Sequence, residues 1–167
     1  VDGPQTTTIT VAIDDANSDD AFDNVADQTL TVTTTDNDVA GFTIVESAGN
    51  TSVDESGTTD TFTVVLDRQP LSDVVLTVGS ADTGEATVDT ATLTFTPANW
   101  NAPQTVTVTG VNDDVDDGDQ PTVITVAVDD ANSNDAFDNV ADQTVTVTTT
   151  DDDGVGFTIV ESSGDTS

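Results

Sequence analysis

Apolar and polar residues alternate along most of this 167-residue chain. In 105–109 (TVTVT), Val106 and Val108 fall on one face and the threonines on the other; 92–96 (TLTFT) does the same with Leu93 and Phe95. The runs 61–66 (TFTVVL), 74–78 (VVLTV), 123–128 (VITVAV) and 144–149 (TVTVTT) continue the pattern. A period of two belongs to a strand with one buried face, and β-branched threonine and valine suit a pleated surface. Turn signals separate the runs: Ser56-Gly57, Gly79 to Gly84, Pro97-Ala98-Asn99 and the Asp-rich stretches. No stretch has a helical period. The pattern predicts strands near 41–46, 60–67, 73–79, 91–96, 103–111, 121–128 and 143–150. That is an all-β chain, an Ig-like antiparallel β-sandwich module of about seven strands. Threonines face solvent, and valine, leucine, isoleucine and phenylalanine lie between the sheets.

The strands belong to a repeat. Residues 1–52 recur as 116–167, with 40 of 52 positions identical. Such fidelity means tandem modules of one design. Residues 1–38 read as the C-terminal part of a preceding repeat, 41–153 as a complete repeat and 154–167 as the first strand of the next. Joining the two partial ends would still lack the equivalents of 53–115, so the expectation is a stretch of a longer repetitive polymer. The links are short: Asp153 is followed closely by Gly156-Phe157-Thr158, as Asp38 is by Gly41-Phe42. Glu46 and Glu161, on the first strands, are candidates to reach a junction site.

Charge changes the picture. Thirty-three acidic residues face one basic residue, Arg68, for a net charge of −32. Nucleic acid and anionic membranes need Lys or Arg, so neither is an expected partner. No apolar run approaches the length of a transmembrane helix, so no membrane insertion is expected. Without cysteine there is no disulfide framework. Without His, Cys or Lys a nucleophile would lack its usual base, and the expectation is that the chain is not an enzyme. The carboxylates call for cations. A halophile's solvating surface would spread them evenly. Instead 91–112, 120–128 and 143–150 hold none, while acids bunch at 113–119, 129–142 and 151–153.

Four segments therefore carry acids at predicted strand ends: Glu55; Glu85; Asp113, Asp114, Asp116, Asp117 and Asp119; and Asp151, Asp152 and Asp153. In a sandwich such ends can meet at one pole. Calcium takes about 6–8 oxygens at about 2.3–2.6 Å from adaptable loops. Magnesium prefers strict octahedra with retained water, and zinc would want the Cys or His that this chain lacks. Calcium is the expected ion.

Four stretches, 53–67 (VDESGTTDTFTVVLD), 84–100 (GEATVDTATLTFTPANW), 106–119 (VTVTGVNDDVDDGD) and 148–153 (TTTDDD), resemble Calx-β modules. These are the calcium-binding sandwiches of sodium–calcium exchangers, also found in tandem in large bacterial surface and adhesion proteins. The resemblance implies calcium ligands at or near Glu55, Glu85, Asp113, Asp114, Asp117 and Asp151 to Asp153. Glu85 stands where the family usually has Asp beside an aromatic, and Ala86 replaces that aromatic. The preceding repeat would repeat the arrangement with Asp2, Asp36 and Asp38, although Asn37 stands where the later copy has Asp152.

Other features have blander readings. Residues 14–23 and 129–138 open like an EF-hand loop but lack its glycine and its closing Glu; Phe22 and Phe137 are expected to pin these loops to the core. Lone Asp60, Asp67, Asp73 and Asp89 read as solvated turn residues. Trp100 reads as a plug at one end of the sandwich. Together these observations predict a calcium-stiffened structural repeat of a long filament or adhesin stalk, extracellular or at the cell surface. Its partners would be adjacent repeats and neighbouring chains. The alternative is a carbohydrate- or cell-binding module using Trp100 and exposed threonines.

Overall fold

Each run of alternation becomes a strand, and two short strands appear that the pattern does not reveal. The computed structural model describes residues 1–160. β1 (Gln5–Val11) and β2 (Gln28–Thr34) precede the complete repeat. The repeat contains β3 (Phe42–Glu46), β4 (Thr51–Asp54), β5 (Thr59–Leu66), β6 (Val74–Ser80), β7 (Ala86–Val88), β8 (Thr92–Phe95), β9 (Gln104–Gly110), β10 (Gln120–Val128) and β11 (Gln143–Thr150). One sheet has the order β4-β11-β10-β6-β8 and the facing sheet β3-β5-β9-β7. The pairs are antiparallel except β4 with β11, which run parallel from Thr51↔Val147 to Asp54↔Thr150. The antiparallel β-sandwich is as expected, with this one parallel edge added to it, and β4 and β7 raise about seven strands to nine. β4 carries a single apolar residue, Val53, and β7 has only three residues, so neither stands out as a run of alternation; their pairing to β11 and β9 defines them.

The inward residues follow the alternation. Phe62, Val64, Leu66, Val106 and Val108 of one sheet meet Val74, Leu76, Phe95, Ile124, Val126, Val145 and Val147 of the other. Each such side chain contributes about 1.5–3 kcal/mol on burial. Three threonines break the outward rule. Thr51 Oγ1 donates to Glu46 Oε2 (2.8 Å), Thr149 Oγ1 donates to the Glu85 carbonyl (3.2 Å), and Thr122 Oγ1 accepts the Asp82 N–H (3.1 Å). Buried hydroxyls persist because each has a partner.

β1 and β2 form a separate hairpin with pairs from Gln5↔Thr34 to Val11↔Gln28. Shifted by 115, this is the register of β10 and β11, Gln120↔Thr149 to Val126↔Gln143. One-turn 3-10 helices occupy both connections: Asp15–Asn17 and Asp20–Phe22, then Asp130–Asn132 and Asp135–Phe137. Phe137 is fully buried, whereas Phe22 is exposed. The expectation that Phe22 pins its loop to a core is thus corrected, because among the described residues no second sheet covers the first hairpin. Residues 154–160 carry no strand, and Val155, Phe157, Ile159 and Val160 are exposed. In the complete repeat the corresponding strand, β3, is held by β5. Glu161 lies outside the described residues.

Candidate metal centre

The acidic pole is built where β4, β9 and β11 end together. The parallel β4–β11 pair brings Asp54 beside Thr150, and the Glu55 N–H donates to the Thr150 carbonyl at 3.1 Å. A tight turn follows, with Gly57 at φ +88° and its N–H on the Asp54 carbonyl. Ser56 donates to the Asp54 carboxylate and holds it below its ordinary value. These contacts turn Glu55 inward, where it is only 2% exposed.

Gly110 at the end of β9 permits this approach. A Cβ there would lie 2.1 Å from the Asp54 carbonyl oxygen. A glycine within a strand commonly marks such contact. Beyond Gly110 the 111–119 loop carries Asp113 to Glu55, and beyond β11 the chain adds Asp153. Ligand oxygens of Glu55, Asp113 and Asp153 all lie within 4.8 Å of one another. Two oxygens bound to one calcium at about 2.3–2.6 Å stand at most about 5.2 Å apart, so the spacing fits.

Glu55 Oε2 and Asp153 Oδ2 are buried and accept no hydrogen bond. Burial pushes the Glu55 carboxyl above its ordinary 4.5, and the charges of Asp151, Asp113 and Asp153 add to this; a backbone N–H from Asp152 opposes it. Burial likewise raises Asp153 above 3.8, with Asp114, Asp152, Asp151 and Asp113 adding. Buried acceptors lacking donors, among like charges, are costly unless a cation joins them. The donor set is all oxygen, which suits calcium and not zinc.

Glu85 is half-buried beside this group. Its carboxyl is also raised, by burial first and then by Asp117, Asp82 and Asp113. Asp82 was not among the sequence candidates. Its signal is the Asp-x-Gly turn, in which Asp82 Oδ1 accepts the Gly84 N–H at 2.9 Å. Asp114 and Asp152 flank the centre in exposed positions. Three further candidates bond to backbone and shape the loops. Asp151 accepts the Gly118 N–H (2.7 Å) and the Asp153 N–H (2.8 Å), Asp119 accepts the Asp151 N–H (3.3 Å), and Asp116 accepts the Val155 N–H (2.9 Å).

The first hairpin reproduces the loop clamp. Asp36 accepts the Gly3 and Asp38 N–H groups at 2.8 Å each, which holds it below its ordinary value. Asp38, the counterpart of Asp153, pairs instead with Arg68, Nε to Oδ1 at 3.0 Å. Both partners are about half exposed, and such a pair contributes at most about 1 kcal/mol. Asp2 is exposed. Among the described residues only Glu55, Asp113 and Asp153 meet as a group of three.

Glu46 sits at the far end of β3 from residues 36–38 and accepts the Thr51 hydroxyl. Asp60 is no simple solvated residue. It accepts the Ser47 hydroxyl (2.6 Å) and the N–H groups of Ser52 (3.0 Å) and Thr61 (2.7 Å), which lower its pKa. Asp89 accepts the Thr107 N–H at 2.9 Å. In the 129–138 loop, Asp129 accepts from Asn132, and Asn134 caps the turn through the Ala136 N–H. Trp100 is half-buried and packs on the core.

No family model matches the chain, and no curated protein matches it. Solved structures match it by fold. Domains 1–6 of the surface layer protein SbsC align with a TM-score of 0.51 at 23% identity, over 91% of this chain and 17% of that one. A second S-layer SbsC structure gives 0.50 at 24% identity, over 87% of this chain and 16% of that one. The apo form of the Calx CBD1 domain gives 0.48 at 17% identity, over 70% of this chain and all of that one. The chain thus spans about a sixth of the SbsC structures. The fold and the pole define the class: an all-β sandwich repeat with carboxylates gathered at one end.

Proposed function

We propose that this chain is a calcium-stiffened structural repeat of a long extracellular filament or adhesin stalk. One observation carries the reading: two buried carboxylate oxygens without donors, on Glu55 and Asp153, converge with Asp113 within one ion's reach. Glu55, Asp113 and Asp153 would hold the ion, with Glu85, Asp114, Asp117 and Asp152 flanking it. Asp116, Asp119 and Asp151 shape the loops. Asp2, Asp36 and Asp38 would serve the equivalent centre of the preceding repeat. The bound ion supplies positive charge that ties the ends of β4, β9 and β11 together.

The mechanism is linkage. An ion that binds the folded pole and not the unfolded chain stabilises by RT ln(1 + [L]/Kd), about 4 kcal/mol at a thousandfold excess. The pole stands where one repeat hands over to the next, so fixing it also stiffens the joint. The Arg68–Asp38 pair supports contact between successive repeats. Neighbouring chains are further candidate partners. The fold shared with a surface layer protein agrees with an extracellular setting. Trp100, half-buried against the core, favours the carbohydrate-binding alternative less than a fully exposed ring would.

Thermal unfolding of the chain in EDTA, calcium, magnesium and sodium chloride tests the proposal. A large rise in melting temperature with calcium, unmatched by magnesium or salt, is expected. Equal stabilisation by sodium chloride alone would replace this reading with that of a halophilic acidic surface.

A further inference from the structure

We propose that Asp153 is a site of spontaneous modification, at which the Asp153–Gly154 bond rearranges to isoaspartate. The chain has three Asp-Gly pairs: Asp2–Gly3, Asp117–Gly118 and Asp153–Gly154. In such a pair the glycine nitrogen can attack the aspartate Cγ, because a residue without a Cβ allows the close approach. A five-membered ring closes and one water leaves. Water then reopens the ring. Where it breaks the bond from the Asp main-chain carbonyl carbon to the Gly nitrogen, the main chain is left running through Cβ and Cγ. The water lost is regained, so mass is unchanged and no other reactant is needed.

Ring closure needs a peptide unit that is free to rotate toward its own side chain, and two of the three are held at both ends. The Asp117 carbonyl accepts from Gln120 Nε2 (3.1 Å), and the Gly118 N–H donates to Asp151 Oδ2 (2.7 Å). The Asp2 carbonyl accepts from Gln5 Nε2, and the Gly3 N–H donates to Asp36 Oδ2, both at 2.8 Å. The Asp153–Gly154 unit makes neither bond among the described residues. Gly154 is exposed, and Asp153 Oδ2 accepts no hydrogen bond that would hold the side chain back from the nitrogen.

The link between residues 36 and 42 shows that a repeat following in place leaves this position open. There Asp36 clamps the Asp38 N–H at 2.8 Å, as Asp151 clamps that of Asp153, and β3 is paired with β5. Val39, the counterpart of Gly154, is nonetheless 77% exposed, and its N–H has no partner among the described residues. The two links share one clamp and differ at the attacking residue. A stiff, β-branched valine hinders the nitrogen beside Asp38, and glycine leaves it open beside Asp153. Rearrangement adds one methylene to the main chain and moves the free carboxylate to the α-carbon. On the reading of Asp153 as a calcium ligand, each event takes a ligand from the pole, so a repeat would lose its ion with age.

The test incubates the full chain for weeks at neutral pH in EDTA. Electron-transfer fragmentation then locates isoaspartate, which mass alone does not reveal. Product at Asp153 should exceed that at Asp117 and Asp2 by about tenfold or more, since a pinned unit reacts only through local opening against its charge-assisted hydrogen bond. In urea, where nothing is pinned, the three pairs should react alike. Gly154→Val should suppress the product at Asp153. Valine already occupies this place in the other link, so an unchanged melting temperature is expected of that variant. The proposal is overturned if Asp117 or Asp2 rearranges as fast as Asp153 in the folded chain, or if Gly154→Val leaves the product undiminished. The product is read without calcium, so it stands or falls apart from the ligand reading. A calcium response that survives full conversion at Asp153 would remove that residue from the ligand set and leave the modification in place.

Discussion

Gly110→Ala places one methyl group where the candidate centre has no room. Its Cβ would stand 2.1 Å from the Asp54 carbonyl oxygen, 2.9 Å from the Asp54 carbonyl carbon and 3.2 Å from Val53 Cγ2. Ordinary contact begins at 3.4 Å, so the first distance is about 1.3 Å short. The obstacle is backbone, and it cannot rotate away. Asp54 is fixed in the parallel pair with Thr150, and its carbonyl accepts the Gly57 N–H. The 53–55 segment must therefore move by about 1 Å, and overpacking of that kind costs about 1–3 kcal/mol. Glu55 moves with it, and a shift comparable to half a calcium–oxygen bond removes it as a ligand. A tenfold to hundredfold loss in affinity, the scale on which disturbing a metal site's supports usually acts, reduces the calcium increment by about 1.4–2.7 kcal/mol. Urea unfolding in EDTA and in excess calcium measures both effects. Gly79→Ala is the control, because a Cβ at Gly79 would meet nothing within 4 Å. If Gly110→Ala matches the natural chain in EDTA, the packing argument fails. If it lowers stability equally with and without calcium, the link from Gly110 through Glu55 to the ion is refuted.

Glu55→Gln should raise the melting temperature in EDTA, since it removes a buried charge from among Asp113, Asp151 and Asp153, and should largely abolish the calcium response; a full calcium response would remove Glu55 from the ligand set. Stability without metal should rise as pH falls from neutral toward the ordinary carboxylate range, because the folded-state pKa values of Glu55, Asp153 and Glu85 are raised and protonation favours the folded pole. Below that range it should fall again as Asp36, Asp54 and Asp60, whose values are lowered, take up protons. In calcium the upper limb should reverse, since protons compete with the ion, and melting curves at a series of pH values with and without EDTA would show the crossing. Phe137→Ala should cost about 3–5 kcal/mol in urea unfolding. Phe22→Ala, the same change in a loop that differs only in Asp19 for Asn134, should stay within about 0.5 kcal/mol, and equal costs would mean that the first hairpin is covered in solution.

Alternation along the chain determined every long strand, because a strand buried on one face carries its own period of two. The core residues Phe62, Leu76, Phe95, Val106 and Ile124 were legible for the same reason. The spacing of the acids along the chain placed carboxylates at strand ends. The tertiary structure decided the rest. β4 and β7 exist through their partners, and a parallel pair between residues nearly a hundred positions apart leaves no local trace. Thirteen acids stood as candidates in the sequence, yet three converge. The others divide between flanking the pole, bonding to loop backbone and, for Asp38, pairing with Arg68. A carboxylate's role depends on which donors reach it, and only the packed loops fix that. Phe22 and Phe137 put the limit most plainly: one sequence motif, one local conformation, and opposite burial, because burial belongs to whatever covers a residue and not to the residue.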